Sequence, residues 1–317
     1  MGSWVANKGR NATFDLYRCL LMAGICLLHT VGTSLGEDLW FSSALCFCVN
    51  GFLLISGYFG IRFSWWRVGR LMLIGLWCCL VATTLNSQNW TGGVIREILS
   101  SFVSAWFLWA YILLMMMSPI LNGYLTRFED GCLRRELYEL VPLFVLCFVW
   151  SWPTSYNVTL GIVPRTAGLG HFSGIMMVGM YVVGRLVRFY RLDKRIPLRW
   201  AVVAFALLLI PALLKLGFYN SPVAVGLSVA SFVMVSHIRL SDRLSRFCVW
   251  LAPSMFSVYM LHTGTFCMHQ VIPNSVKYLL SCGINKWPSY LIVAIGIFVV
   301  CTVVDLLRRG ALALIRK

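Results

Sequence analysis

The chain has 317 residues, of which 59% are apolar and 12% are charged. Soluble domains average about 25% charged residues, so 27 Lys and Arg with 11 Asp and Glu are too few to cover a soluble surface. The mean hydropathy of +0.79 points in the same direction. This composition excludes a soluble enzyme, a disordered chain and a disulfide scaffold, and it predicts a polytopic membrane protein.

The formal net charge of +16 does not indicate a nucleic-acid partner. Almost all of the Lys and Arg residues lie at the ends of apolar runs, where they set membrane topology, and no basic patch is interleaved with aromatic residues. The twelve Cys residues are scattered within apolar runs, without Cys-x-x-Cys pairs or Cys/His clusters. The sequence therefore predicts neither structural disulfides nor a metal site.

Ten apolar runs predict an all-α membrane protein of about ten transmembrane helices. The runs are 14–35, 39–60, 68–86, 104–124, 138–154, 169–188, 199–215, 221–238, 248–270 and 288–307. The first run contains Asp15, Arg18 and His29 and lacks a small-residue cleavage site, so we expect a retained helix and not a signal peptide. No long linker interrupts the chain, which predicts a single membrane domain over 1–317 with no soluble accessory domain.

The loops between these runs alternate in charge. One set holds 21 of the 27 Lys and Arg residues and the other set holds five, with Arg18 inside the first run. Because positively charged loops stay in the cytoplasm, this asymmetry predicts cytoplasmic termini and an even number of spans.

The first run carries the densest set of ionisable residues, and such residues are costly inside a bilayer. Asp15 and Arg18 are three residues apart and can pair on one helix face. Arg18 and His29 are eleven residues apart, which places them on one stripe about 16 Å apart along the axis. Arg18 could be a topology anchor and His29 a helix–helix hydrogen-bonding group; we favour His29 as a general base.

His262 is predicted to lie about as deep in the membrane as His29, since each follows its cytoplasmic helix end by about 13 residues. The two imidazoles could therefore face one cavity or lie on opposite sides of the bundle. The sequence leaves both arrangements open.

The second run ends in Ile55-Ser56-Gly57-Tyr58, where small residues permit close helix packing or close approach of a ligand. The cluster of Arg62, Arg67 and Arg70 that follows serves topology or a phosphate-rich ligand. The stretch 185–199 is interpreted as a topology determinant with anionic-lipid contacts. Phosphate-loop, dinucleotide, nucleophile-elbow and zincin motifs are absent from the sequence.

Taken in order, these motifs resemble the acyltransferase-3 family, membrane enzymes of about ten helices that acylate cell-surface glycans. The most specific pair is Asp15-x-x-Arg18 with His29 in the first helix and Ile55-Ser56-Gly57-Tyr58 ending the second. Further matching segments are Arg67-Val68-Gly69-Arg70-Leu71, Ser104-Ala105-Trp106-Phe107-Leu108, Ser118-Pro119-Ile120-Leu121, Gly179 to Arg185 and Ser254 to His262. Two positions depart from the family pattern: Asn50 replaces a frequent Pro, and Ser104 replaces a frequent His.

The resemblance implies an O-acyltransferase, most simply an O-acetyltransferase, of the bacterial inner membrane. It implies acyl-CoA as the donor substrate with no bound cofactor, and a surface polysaccharide or lipid-linked glycan as the acceptor. Arg18, Arg67 and Arg70 would bind donor phosphates, and His29, assisted by Arg18, would act on the acceptor hydroxyl. The supporting residues would be Asp15, Ser56, Tyr58, Trp106, Tyr259 and His262.

Two other functions compete with the enzyme. A transporter or exporter of a small carboxylate or glycan precursor would also suit ten helices with midplane His and Arg residues, although no internal repeat is apparent. A catalytically silent scaffold would be expected to have lost Arg18 or His29, and both are present.

The charge asymmetry generates a topology prediction. Reporter fusions at Glu37 and within 191–195 should report opposite sides of the membrane, with 191–195 cytoplasmic. Reporters on the same side would contradict the predicted topology.

Overall fold

The computed structural model describes residues 11–34, 39–85, 93–103, 105–128, 133–150 and 174–315. These residues form helices joined by short connections, and no β-strand occurs among them, which agrees with the predicted all-α class. Helices suit this apolar sequence because they satisfy every backbone hydrogen bond within one segment, as hydrocarbon surroundings require.

The helices are numbered in chain order within the described residues. The first half contains α1 (Ala12–Ser34), α2 (Leu39–Leu45), α3 (Phe47–Phe59), α4 (Trp65–Thr84), α5 (Val94–Val103), α6 (Trp106–Leu125) and α7 (Leu133–Phe144). The second half contains α8 (Gly174–Phe189), α9 (Leu192–Arg195), α10 (Leu198–Pro211), α11 (Pro222–Ser236), α12 (Asp242–Leu251), α13 (Met255–His262), α14 (Ile272–Ser281) and α15 (Lys286–Ile315). Short 3-10 turns occupy Thr126–Phe128 and Ala252–Ser254, and π-helical turns occupy Val145–Trp150, Ala212–Leu216 and Cys267–Val271.

Seven stretches of the described chain are long and apolar enough to cross a membrane. They are Ala12–Thr33, Trp40–Phe59, Trp65–Thr84, Trp106–Leu125, Leu198–Leu216, Asp242–His262 and Lys286–Leu314. The protein is therefore membrane-integral. The predicted run 221–238 corresponds to the shorter helix Pro222–Ser236, and the runs 138–154 and 169–188 extend beyond the described residues. The count of ten and the orientation of the termini therefore stay predictions.

Helix α1 lies at the centre of the bundle. It packs against α2, α3, α11, α12, α13, α14 and α15, so helices from both ends of the chain surround it. Its buried face carries apolar side chains such as Leu21, Ile25 and Val31. The ionisable residues of α1 therefore point into protein surroundings made by distant parts of the sequence.

Two glycines allow α3 and α8 to touch along their backbones. A Cβ atom at Gly57 would overlap the carbonyl oxygen of Tyr181, and one at Gly184 would overlap the carbonyl oxygen of Leu54. The small residue in the Ile-Ser-Gly-Tyr segment is thus required by packing, the first of the two roles that the sequence left open.

A closed set of hydrogen bonds fixes the chain directly after α3. The Tyr181 hydroxyl accepts from the backbone N–H of Ile61 at 3.0 Å and donates to Asn122 Oδ1 at 2.7 Å. The Asn122 amide donates in turn to the Ile61 carbonyl oxygen at 2.9 Å. Three helices, α3, α6 and α8, are held together at this point.

The contact between α3 and α8 generates a stability prediction. Gly57→Ala should destabilise the protein by about 1–3 kcal/mol, because the added methyl group meets rigid backbone and the helices must separate. Thermal unfolding in detergent measures the effect. Gly123→Ala in α6 is the matched control, since its Cβ meets no atom within 4 Å and alanine favours helix. Equal melting temperatures for the two variants would contradict the packing role.

Candidate active site

Two histidines from opposite ends of the chain meet inside the bundle. His29 Nδ1 of α1 lies 2.8 Å from His262 Nε2 at the end of α13. His262 is fully buried, whereas His29 is partly accessible. Of the two arrangements that the sequence left open, the structure thus shows the one in which the imidazoles face each other.

The hydrogen-bond partners define which ring nitrogens carry protons. His262 Nδ1 lies 2.6 Å from the carbonyl oxygen of Val258, which accepts only, so Nδ1 is the protonated nitrogen of His262. Its Nε2 then accepts the bond from His29 Nδ1–H. In the neutral pair, His29 Nε2 is left with a free lone pair.

His29 lines a cavity of about 150 Å³. Helix α13 ends at His262, and the following turn at Thr263 and Gly264 leaves room beside the imidazole pair. Other lining residues include Cys79, Trp106, Tyr259, Thr263 and Met268. The structure thus brings together four of the predicted site residues: His29, Trp106, Tyr259 and His262.

Aromatic contacts hold the wall of this cavity. The Tyr259 ring packs edge-on against His262, with ring centroids 5.9 Å apart, and its other neighbour is Phe107 at 5.1 Å. Trp106 begins α6 and contacts Phe107 edge-on at 5.6 Å. These rings connect the start of α6 with α13 and so determine the position of His262.

Asp15 and Arg18 form an ion pair near the start of α1. Arg18 Nη1 donates to Asp15 Oδ1 at 2.6 Å; the carboxylate is fully buried and the Arg18 side chain is 30% exposed. The Arg18 guanidinium also lies 5.8 Å from the centroid of the Phe59 ring. Because α1 is a continuous helix, Arg18 and His29 are about 16 Å apart along its axis.

Ser56 and Arg67 lie on the Arg18 side of the bundle. The Ser56 hydroxyl donates to the Phe52 carbonyl at 2.9 Å and accepts from the Tyr111 hydroxyl at 3.3 Å. The positive charges of both Arg18 and Arg67 interact electrostatically with that Tyr111 hydroxyl. Arg67 is exposed and donates to the backbone of Arg62.

Arg70 and Tyr58 form no hydrogen bond with this group among the described residues. Arg70 is exposed on α4, and no described residue forms a hydrogen bond or ion pair with it. The Tyr58 hydroxyl donates to Asp193 Oδ2 at 2.9 Å, so the tyrosine of the Ile-Ser-Gly-Tyr segment belongs to a separate cavity.

A second ion pair of the same spacing was missed by the sequence analysis. Arg308 donates through Nε and Nη2 to Asp305 Oδ1 at 2.9 and 2.7 Å, and its guanidinium lies 5.5 Å from the centroid of the Trp77 ring. Asp305 is fully buried. The available signal was the Asp-x-x-Arg spacing, which repeats that of Asp15 and Arg18 in α1.

The family assignment follows from a comparison of the whole chain. The sequence model of the acyltransferase-3 family, described as an acyltransferase domain, matches residues 11–306. The chain belongs to the acyltransferase-3 family. No curated protein and no solved structure matches it. With its apolar helices, this acyltransferase-3 member is a membrane acyltransferase.

The two departures from the family pattern have different outcomes. Asn50, which stands where an acyltransferase-3 protein often has Pro, donates its amide to the Tyr219 carbonyl at 2.7 Å. Its Oδ1 is buried and has no hydrogen-bond partner in the described part of the chain. Ser104 lies outside the described residues.

Proposed function

We propose that this acyltransferase-3 protein is an O-acyltransferase that moves an acyl group from acyl-CoA to a hydroxyl of a surface polysaccharide or lipid-linked saccharide. The observation that carries the proposal is the histidine pair, in which His262 orients His29 by a 2.8 Å hydrogen bond. A general base must present an unprotonated nitrogen to its substrate, and His29 Nε2 meets that requirement beside a cavity.

The pair supports a complete acyl transfer. His29 Nε2 takes the proton from the acceptor hydroxyl as the oxygen attacks the thioester carbonyl carbon. The tetrahedral intermediate collapses, the carbon–sulfur bond breaks, and His29 returns the proton to the leaving sulfur, which gives the ester and free CoA. His262 is a positioning residue: its Nε2 accepts from Nδ1–H and stabilises the imidazolium that forms on His29.

The size of the cavity favours a short acyl group. Pockets for drug-sized ligands span about 300–1,000 Å³, whereas the space beside His29 is about 150 Å³. An acetyl thioester with one sugar hydroxyl fits this volume. We therefore infer acetyl-CoA as the donor.

We assign Arg18 to donor binding and not to the reacting atoms. Arg18 lies about 16 Å from His29 along the axis of α1. At this end of the bundle, Arg67 also interacts electrostatically with Tyr111, which is hydrogen-bonded to Ser56. Asp15 holds the guanidinium in place while 30% of the side chain stays exposed. The phosphates of CoA suit this end, and the extended arm of the donor would carry the thioester towards His29. We also assign Arg70 to donor binding, because the family resemblance implies that role.

The remaining parts of the proposal rest on the family resemblance. They are the glycan class of the acceptor, the bacterial inner membrane as the location, and membrane lipids as the surroundings. The apolar helices are consistent with an acceptor that reaches the His29 cavity from the membrane plane or the side opposite Arg18.

Substitution of His29 tests the proposed base. His29→Ala should lower acyl transfer from acetyl-CoA by about 10²–10⁴-fold, which is the usual contribution of a general base. His262→Ala should cost less, because His29 keeps its lone pair and loses its orientation. The measurement is transfer of radiolabelled acetyl groups in membranes that contain equal amounts of each variant.

His269→Ala is the matched control, since this exposed histidine lies outside the cavity and should leave transfer unchanged. A dead His262→Ala with an active His29→Ala would exchange the two roles. Full transfer in both variants would contradict imidazole catalysis and favour a transporter.

Donor affinity tests the assignment of Arg18. Arg18→Ala would leave the buried Asp15 carboxylate unpaired, so the informative variant is the double change Asp15→Asn, Arg18→Ala, compared with Arg18→Lys. The double change should raise the Kd for acetyl-CoA about 10- to 100-fold, which is the loss expected for hydrogen bonds to a charged group. Arg18→Lys should lie between it and the unmodified protein.

Arg243→Ala removes an exposed charge elsewhere in the chain and is the control for that measurement. An unchanged Kd in the double variant would contradict the donor-binding role of Arg18.

A further inference from the structure

A second, larger cavity lies at the Arg18 end of the bundle. Its volume is about 440 Å³, and it is lined by Tyr58, Arg188, Phe189, Arg191, Asp193 and Lys194. The Phe14 ring, one turn before Arg18, lies 5.4 Å from the Tyr58 ring, centroid to centroid, which places the cavity beside the start of α1. The sequence alone predicts a topology determinant with anionic-lipid contacts for this stretch.

The backbone between α8 and α9 turns three cations towards this one cavity. Arg191 has φ of 52°, in the left-handed region that side chains with a Cβ rarely adopt. Its N–H donates to the Arg188 carbonyl at 3.1 Å, and its carbonyl accepts from the Lys194 N–H at 2.9 Å. Unfavourable backbone of this kind persists when surrounding contacts hold it, and it is frequent at ligand-binding sites.

Buried polar contacts hold the turn in place. Asp193 is buried and accepts from the Tyr58 hydroxyl through Oδ2 at 2.9 Å. Its backbone carbonyl accepts from the Ser236 hydroxyl at 3.0 Å, which ties α9 to α11. The cavity is therefore a fixed feature of the fold, built on a residue of the Ile-Ser-Gly-Tyr segment.

The three cations that line this cavity have hydrogen-bond donors that no described residue uses. Arg188 uses Nη1 for the carbonyl oxygens of Tyr58 and Phe59, at 3.1 and 3.4 Å, and its other N–H groups have no partner in the described chain. The side chains of Arg191 and Lys194 likewise form no hydrogen bond or ion pair with a described residue. Three cations and one carboxylate give the lining a net charge of +2.

We infer that this cavity binds a phosphate group. Guanidinium and ammonium donors around a polar space, with net positive charge, match phosphate oxygens in charge and hydrogen-bonding capacity. Two sources carry that chemistry: the nucleotide part of the acyl donor and the headgroup of an anionic phospholipid. The nucleotide source rests on the proposed function, whereas the phosphate site itself does not.

Topology alone does not account for the arrangement. Lys and Arg residues that set membrane topology need only lie in a cytoplasmic loop, without any particular side-chain arrangement. The neighbouring Arg195 and Arg199 belong to the same positively charged stretch and do not line the cavity. Arg188, Arg191 and Lys194 instead converge on one space through an unfavourable turn. These two sets of cations, a few residues apart, offer a matched comparison.

The test uses the full-length protein in lipid nanodiscs. The cavity variant is Arg191→Asn, Lys194→Gln, since Asn tolerates the left-handed backbone, and the control is Arg195→Gln, Arg199→Gln, which removes the same charge. One arm measures binding of adenosine 3′,5′-bisphosphate in phosphatidylcholine nanodiscs. The other measures retention of phosphatidylglycerol by native mass spectrometry.

A nucleotide site predicts that the cavity variant binds the bisphosphate at least tenfold more weakly while the control stays within twofold. A lipid site predicts unchanged bisphosphate binding and loss of retained phosphatidylglycerol in the cavity variant alone. Either result supports a phosphate site. Equal behaviour of the cavity variant and the control in both arms overturns it.

Failure of this inference is distinguishable from failure of the proposed function. His29→Ala should abolish acyl transfer while it leaves bisphosphate binding and lipid retention unchanged, because His29 lies in the other cavity. If the unmodified protein transfers no acyl group, the proposed function fails and the phosphate site is still decided by the two binding arms.

Discussion

Hydrocarbon surroundings make an unpaired ionisable group inside the bundle costly, and the architecture depends on pairing such groups within the protein. Asp15 is fully buried and bonded to Arg18, and Asp305 is fully buried and bonded to Arg308. The imidazoles of His29 and His262 bond to each other. Each of these groups would be costly alone. The two ion pairs each form within one helix, whereas the histidine pair fixes which faces α1 and α13 turn towards each other.

The sequence predicted the class of fold and the Asp15–Arg18 pair because the relevant signals are local. Helices occur at all ten apolar runs, and the spacing of Asp15 and Arg18 predicts the pair that the structure contains. The match over residues 11–306 confirmed the family that the ordered motifs from Asp15 to His262 resemble. The number of spans could not be fixed in this way, since α11 is shorter than a typical span and still coincides with an apolar run.

Contacts between distant segments were beyond the reach of sequence patterns. His29 and His262 were predicted to lie at the same depth in the membrane, and at that depth they could either contact each other or point in opposite directions. Depth contains no information on the rotation of each helix about its axis, which decides between the two. The bond between Tyr58 and Asp193 joins residues 135 positions apart, and no periodicity links them. Likewise, the position of Arg191 in a cavity could not be predicted, because membrane topology already explained the positive charge of its loop.

The histidine pair joins residues 233 positions apart in the chain, and this separation has a consequence for biosynthesis. Helix α1 enters the membrane early, with His29 exposed to whatever surrounds it, and its orienting partner arrives only when α13 has been inserted. The cavity lined by Arg188, Arg191 and Lys194, by contrast, involves residues only up to Ser236, all of which precede α13 in the chain. Synthesis from the N-terminus therefore leaves His29 without this hydrogen bond until nearly all of the helices have been made.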